Sequence, residues 1–282
     1  MRAPDDRYMD VNGIRTRYWD LGEGDAPPVV LIHGIGASVE AWTPTLPALV
    51  PDHRVVALDL VGYGYTDKPR DAPYSFPYFA DFVRQAMDRL EITQAAVIGH
   101  SLGGGAALKL AETVPSRVTR LVAVDAAGLG TEGLSVVYQL MVIPGLGRWL
   151  TRTDPPWVRR FLEGLFHDPD YVTDAMVDLN IEMMSQPGAQ AAYLSTIRSI
   201  ATVFGPRKDV VADIVDNLGA ITAQTLVLWG QQDEAIPVAH GETAVEGIPD
   251  AELVILEACG HMPMVEQRGA FNEAVREFLA SS

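Results

Sequence analysis

Residues 99–103, Gly-His-Ser-Leu-Gly, constrain the fold of this chain more than any other stretch, because they sit between an apolar run at 95–98 and a helix-compatible stretch at 106–113. A strand that turns at once into a helix brings the two backbones together around a strained apex, so the positions two residues either side of the apex must lack bulk. Gly99 and Gly103 meet that demand. The bend lifts the Ser101 hydroxyl above the sheet and leaves the Leu102 backbone N–H, at the start of the helix, facing any negative charge that develops there. A glycine-rich turn with no strand before it carries the same five letters, so the weight of the motif depends on what surrounds it.

The surroundings alternate. Asn12-Gly13 between two alternating stretches, 7–11 and 14–19, predicts a two-residue hairpin. Beyond it, apolar runs at 28–32, 54–60, 95–98 and 118–124 predict strands, and helical periodicity at 39–49, 79–90 and 102–113 predicts helices between them. Phe79, Phe82, Val83, Ala86, Met87 and Leu90 fall on one helical face, as a helix covering a sheet requires. Alternation of this kind builds a mostly parallel α/β sheet with helices on both faces. From 129 to 220 the pattern is helical only, punctuated by Pro144-Gly145, Asp154-Pro155-Pro156 and Pro187-Gly188. Strand and helix signals then resume at 224–229, 237–245, 252–256 and 271–279. The expected division is a core in two parts, 1–128 and 221–282, with 129–220 as an all-helical cap over the carboxyl ends of the strands, where open α/β sheets bind ligands.

At 282 residues and 48% hydrophobic composition the chain has ample material for a buried core. No apolar run approaches the ~20 residues of a membrane helix, and the acidic start of the chain is unlike a signal peptide. The single cysteine, Cys259, fits a reducing compartment, and a cytoplasmic location is expected. A formal net charge of −16 disfavours nucleic acid and anionic membrane surfaces as partners and leaves small neutral molecules.

A serine hydroxyl needs a histidine to take its proton and an acid to hold the imidazole in the right tautomer. Asp233 follows the apolar run ending at Trp229-Gly230, and His261 follows the run at 253–256, so both stand at strand ends on the rim expected for Ser101. The chain order Ser, Asp, His is that of hydrolases built on such a sheet. Asp125 also ends a strand and is the alternative acid; its other reading is to hold the chain leading into the helical block.

With these residues in place the chain resembles the α/β-hydrolase fold family, in particular serine carboxylesterase-like members with a helical cap. The likeness extends from about Tyr8 to Leu279 and rests on His33-Gly34-Ile35-Gly36, the run from Asp59 to Asp67, the elbow at 99–103, Gly230-Gln231-Gln232-Asp233 and Gly260-His261-Met262-Pro263. It implies an eight-stranded sheet, a triad of Ser101, Asp233 and His261, and an oxyanion hole formed by the backbone N–H groups of Ile35 and Leu102. Each such donor typically contributes ~3 to 4 kcal/mol of transition-state stabilisation.

The remaining histidines take structural readings: His33 in the oxyanion loop, His100 packed beside the elbow, and His53, His167 and His240 on loops or helix surfaces. None has a metal-ligand spacing, so neither metal nor cofactor is expected. Cys259 lacks an elbow and reads as a buried thiol. The cap is rich in apolar side chains, and Trp149, Trp157, Phe161, Met176, Met183 and Met184 are the candidates to face substrate, methionine making adaptable walls for acyl or aryl groups. Ser101 at the elbow sets aside the haloalkane dehalogenases and epoxide hydrolases, which carry Asp there. Carbon–carbon bond hydrolases of aromatic ring-cleavage pathways share the serine and the cap, but usually have Asn before the serine and Trp after the histidine, where this chain has His100 and Met262. The expectation is hydrolysis of a small-molecule carboxylic ester through an acyl-enzyme, with carbon–carbon hydrolysis next. Lactonase or perhydrolase activity, or ligand reception without turnover, are further alternatives.

Overall fold

The computed structural model describes residues 4–24 and 26–281. Among the described residues ten strands occur: β1 Arg7–Val11, β2 Ile14–Leu21, β3 Ala26–Ile32, β4 His53–Leu58, β5 Ala95–His100, β6 Val118–Val124, β7 Ala201–Thr202, β8 Gly205–Pro206, β9 Gln224–Gly230 and β10 Ala251–Leu256. Eight of them form one sheet in the order β1-β2-β4-β3-β5-β6-β9-β10. The hairpin β1–β2 and the β2–β4 pair are antiparallel, and every pair beyond them is parallel.

Alternate residues of the central strands feed two cores, because successive side chains leave a strand on opposite faces. Val30, Ile32, Val56, Leu58 and Val97 pack on one side beneath helices Phe76–Arg89 and Leu102–Thr113. Val29, Leu31, Val55, Ala57, Ala96 and Ile98 pack on the other, against Leu46–Leu49 and Arg268–Ala280. All six residues of β5 are buried. That rigid centre carries the serine.

Two predicted elements differ. The helix expected over 39–49 is a 3-10 turn, Val39–Trp42, and one short α turn, Leu46–Leu49. Pro44 lies between them, with no N–H to donate to a continuing helix. The stretch 129–220 is not helical throughout. Helices Val136–Met141, Leu146–Leu150, Pro155–Glu163, Asp174–Met184, Ala189–Ile200 and Lys208–Val215 are joined by the small antiparallel hairpin β7–β8, whose turn uses Gly205 at φ +119°. Two-residue strands are too short to leave an alternating pattern. Among the described residues no helix is long and apolar enough to cross a membrane.

Candidate active site

Ser101 stands between β5 and helix Leu102–Thr113 at φ +54° and ψ −117°, a conformation that L-residues rarely adopt. Its own backbone holds it there: its N–H donates to the Val124 carbonyl at 2.9 Å, and its carbonyl accepts from Gly105 at 3.1 Å and Ala127 at 3.0 Å. A Cβ on Gly99 would come within 2.2 Å of the Gly103 carbonyl oxygen, and one on Gly103 within 2.3 Å of the Ile32 carbonyl oxygen. Both glycines are therefore required for the strand and helix to approach.

The three strand-end residues expected to meet do so. Ser101 Oγ lies 3.0 Å from His261 Nε2, and His261 Nδ1 lies 2.6 Å from Asp233 Oδ2. All three are buried. The network fixes the tautomer: Nδ1–H donates to the carboxylate, which leaves Nε2 to accept the serine proton. Burial alone pushes the Asp233 carboxyl up, but the facing imidazole and the N–H groups of Ile236 and Ala235, at 3.0 and 2.7 Å from Oδ1, outweigh it and hold the acid below its ordinary range.

Asp125 ends β6, and its backbone N–H donates to the Leu228 carbonyl at 3.0 Å on the neighbouring strand β9. Its side chain is wholly buried; Oδ1 accepts the Gly230 N–H at 2.9 Å and Oδ2 has no hydrogen-bond partner. Burial, and then the charge of Asp233, push this acid well above the carboxylate range. Of the two acids, Asp233 is the one that bonds to His261.

His100 packs beside the imidazole of His261 with ring centroids 4.8 Å apart, and its Nε2 lies 2.7 Å from the His261 carbonyl oxygen. Its Nδ1 has no partner, and burial followed by the neighbouring imidazole lowers its pKa to about 3. His100, Asp125 and His261 offer ligand atoms within 4.8 Å of one another, but both nitrogens of His261 are already bonded within the triad. His33, after β3, has its Nδ1 at 2.7 Å from the Gly34 carbonyl and its Nε2 accepting the Leu60 N–H at 3.0 Å. Neither the Ile35 nor the Leu102 N–H enters a loop or turn hydrogen bond within the described residues, and the first N–H of a helix has no intrahelical acceptor.

The loop carrying His261 is tied to the helical segment above it. The His261 N–H donates to the Leu165 carbonyl at 2.8 Å. Glu266, also buried, accepts the N–H of Gly260 at 2.6 Å on one oxygen, and those of His167 at 2.8 Å and Asp168 at 3.1 Å on the other.

Above Ser101 lies a cavity of about 310 Å³ between the strand ends and the helices that follow β6. Trp157, Phe161, Met176, Met183 and Met184 line it as expected. Trp149 does not: it is 56% exposed and lies against Arg152, whose guanidinium sits 4.2 Å from the Trp149 ring and 4.5 Å from that of Trp157. Arg152 is the one Lys or Arg among the lining residues. Sequence reasoning also missed the wall contributed by Asn180, Tyr193 and Met262, which no periodicity separates from ordinary helix packing. His240 is buried rather than on a helix surface, because its helix presses on Trp229 through Gly241. Cys259 is buried, and burial pushes its thiol up, away from the reactive thiolate.

A strained serine at a strand-to-helix elbow, an imidazole on its hydroxyl and a buried carboxylate on the imidazole, all at the carboxyl ends of a mostly parallel sheet, define a class of fold and site. The family model described as the alpha/beta hydrolase fold matches residues 27–267, and the chain belongs to that family. It is 34% identical to the 2-hydroxymuconate semialdehyde hydrolase of Pseudomonas sp. (strain CF600), over 98% of this chain and 94% of the relative. It is 30% identical to the 2-hydroxy-6-oxo-2,4-heptadienoate hydrolase of Pseudomonas putida, over 98% and 96%. Among solved structures, a meta-cleavage product hydrolase of Pseudomonas fluorescens IP01 is similar, at 31% identity, a TM-score of 0.82 and 96% coverage of each chain.

Proposed function

We propose that this hydrolase cleaves carboxylic esters of small to medium, largely apolar acids through an acyl-enzyme on Ser101. The observation that carries the reading is the hydrogen-bonded chain Ser101–His261–Asp233 opening onto a methionine- and aromatic-walled cavity. His261 Nε2 takes the hydroxyl proton as Oγ attacks the ester carbonyl, and the N–H groups of Ile35 and Leu102 receive the resulting oxyanion. The imidazolium returns that proton to the departing alkoxide as the carbon–oxygen bond breaks. Water, deprotonated by the same nitrogen, then attacks the acyl carbon, and the imidazolium returns that proton to Ser101 Oγ as its bond to the acyl carbon breaks and the acid leaves. Each of the two nucleophilic attacks, by Ser101 and then by water, requires neutral His261 at its start. Residues 129–220 act as a cap that selects the acyl chain and takes no part in bond breaking.

The relatives named above support a second reading, hydrolysis of a carbon–carbon bond in a vinylogous diketone. Their substrates, by name, include a dienoate, and an anionic head group calls for a cation in the site. Here the lining offers Arg152 alone, stacked on tryptophans, and the residues flanking the serine and histidine are His100 and Met262. These features favour the ester.

The test is turnover of p-nitrophenyl esters of graded acyl length beside a vinylogous diketone. Ester hydrolysis with no diketone cleavage is expected; efficient diketone cleavage with feeble ester hydrolysis would establish the second reading instead. Ser101→Ala should remove about four or more orders of magnitude of turnover with the fold intact. An organophosphonate should leave its adduct on Ser101, and an adduct on Cys259 alone would overturn the assignment.

A further inference from the structure

The chain carries 37 acidic residues against 21 lysines and arginines, yet the distribution is uneven. Segments 136–152 and 198–208 hold Arg148, Arg152, Arg198, Arg207 and Lys208 and not one Asp or Glu. The same two segments hold six of the large apolar side chains that the fold leaves in solvent. Phe204 is 94% exposed at the turn of the β7–β8 hairpin with Val203 beside it, Val136 is 66% exposed, and Leu140, Ile143 and Trp149 are exposed as well. Val136, Leu140 and Ile143 follow one another at i, i+4 and i+7, the spacing of one helical face. Helix Val136–Met141 packs against both the hairpin and helix Leu146–Leu150, so the elements that carry these residues adjoin one another.

We propose that this face seats the protein on an anionic lipid surface, Phe204 and Val136 entering the acyl boundary and Arg148, Arg152 and Lys208 meeting the head groups. A basic rim around exposed aromatic and aliphatic side chains is the chemistry by which a protein lies on such an interface. Asp209 stands within this face, paired with Arg207 at 2.8 Å; acidic groups more than about 8 Å from the surface are screened at physiological ionic strength. Among the described residues Arg207 is paired with Asp209 at 2.8 Å, whereas Arg148, Arg152 and Lys208 form no ion pair. A second copy of the chain is the poorer occupant: a two-fold contact through this face sets its cations against themselves. Arg152, one of the cations of this face, also lines the cavity above Ser101.

The test is flotation with vesicles of phosphatidylcholine containing about 30% phosphatidylglycerol, beside pure phosphatidylcholine, at low and high salt. It reads binding and is independent of which bond the enzyme cleaves. Binding is expected on the anionic vesicles, weaker at high salt, and reduced roughly tenfold or more by Phe204→Ser. Lys208→Glu, an exposed change, should weaken it and flatten its salt dependence. Neither residue lines the cavity, so both variants should keep turnover of a short soluble ester. Trp19, Trp42 and Trp229 are buried, Trp157 is half-buried on the cavity lining and Trp149 is open, so a blue shift of emission on vesicles that is largely lost in Trp149→Phe places the face at the membrane. Failure of the folded parent to float with anionic vesicles overturns the proposal. So does unaltered binding in both variants, or a Phe204→Ser effect seen only on oligomer size.

Discussion

Two carboxyl groups stand at the ends of adjacent strands, and their environments divide the work between them. Asp233 lowers the cost of its burial by accepting from two backbone N–H groups and from the imidazole, whereas Asp125 has one N–H and an orphan oxygen, which favours the protonated acid. Asp233→Asn is expected to lower kcat by about four orders of magnitude by reversing the imidazole tautomer. Asp125→Asn keeps a neutral group of the same shape and should stay within about tenfold of the parent. Steady-state kinetics on two variants of equal thermal stability decide the ranking, and the opposite order would move the acid to Asp125. In the sequence both residues merely end strands; what separates them is hydrogen bonding, which no one-dimensional spacing records.

At the scale of elements, the parts of the chain that repeat a simple period were the parts legible in advance. The hairpin at Asn12-Gly13, the buried strands and the helix after Ser101 all follow from turn chemistry or apolar spacing. The stretch 39–49 did not, because its apolar residues pack at helical intervals while Pro44 interrupts the backbone. The stretch 129–220 was legible as mainly helical, its hairpin aside, and opaque as a wall: helices there bury apolar residues against each other and against the cavity, and both uses show the same spacing. Trp149 and Trp157 illustrate it, eight residues apart, one in solvent and the other on the lining. Truncating a true lining residue therefore has a signature. Met183→Ala and Phe161→Ala should shift the preferred acyl chain upward by two or more carbons through the space they vacate, and Trp149→Ala should leave the ranking of soluble esters unchanged. A profile of kcat/KM against chain length checks all three; a shift in Trp149→Ala equal to the others would place its ring in the site.

For the molecule as a whole, buried ionisable groups set the response to pH. His33 is completely enclosed, and burial lowers its pKa from 6.5 to about 4. A depressed histidine contributes stability that is present above pH 6.5 and is lost as pH falls toward 4, because only the unfolded chain binds the proton readily. Asp59, raised by burial to about 6 despite the nearby Arg17, has the opposite sign between pH 4 and 6 and masks part of that slope. The contribution of His33 is exposed by comparison with His33→Gln, in which Asp59 is unchanged. Between pH 6.5 and 4 the parent should lose about 3 kcal/mol relative to the variant. Urea unfolding at a series of pH values measures the difference, and parallel curves for the two proteins would show that His33 titrates normally.

The clamp at Glu266 bears on how substrate gets in. One carboxylate grips the backbone just before His261 and the backbone of 167–168 together, while His261 itself is bonded to Leu165. The general base and this corner of the roof form a single mechanical body. A cap that lifted as a rigid leaf from this corner would pull the imidazole off the serine, so opening and readiness to react would exclude each other. Substrate therefore has to pass with this corner shut, by way of the part of the lining that the clamp does not hold, such as Arg152, a long side chain lying against the rings of Trp149 and Trp157.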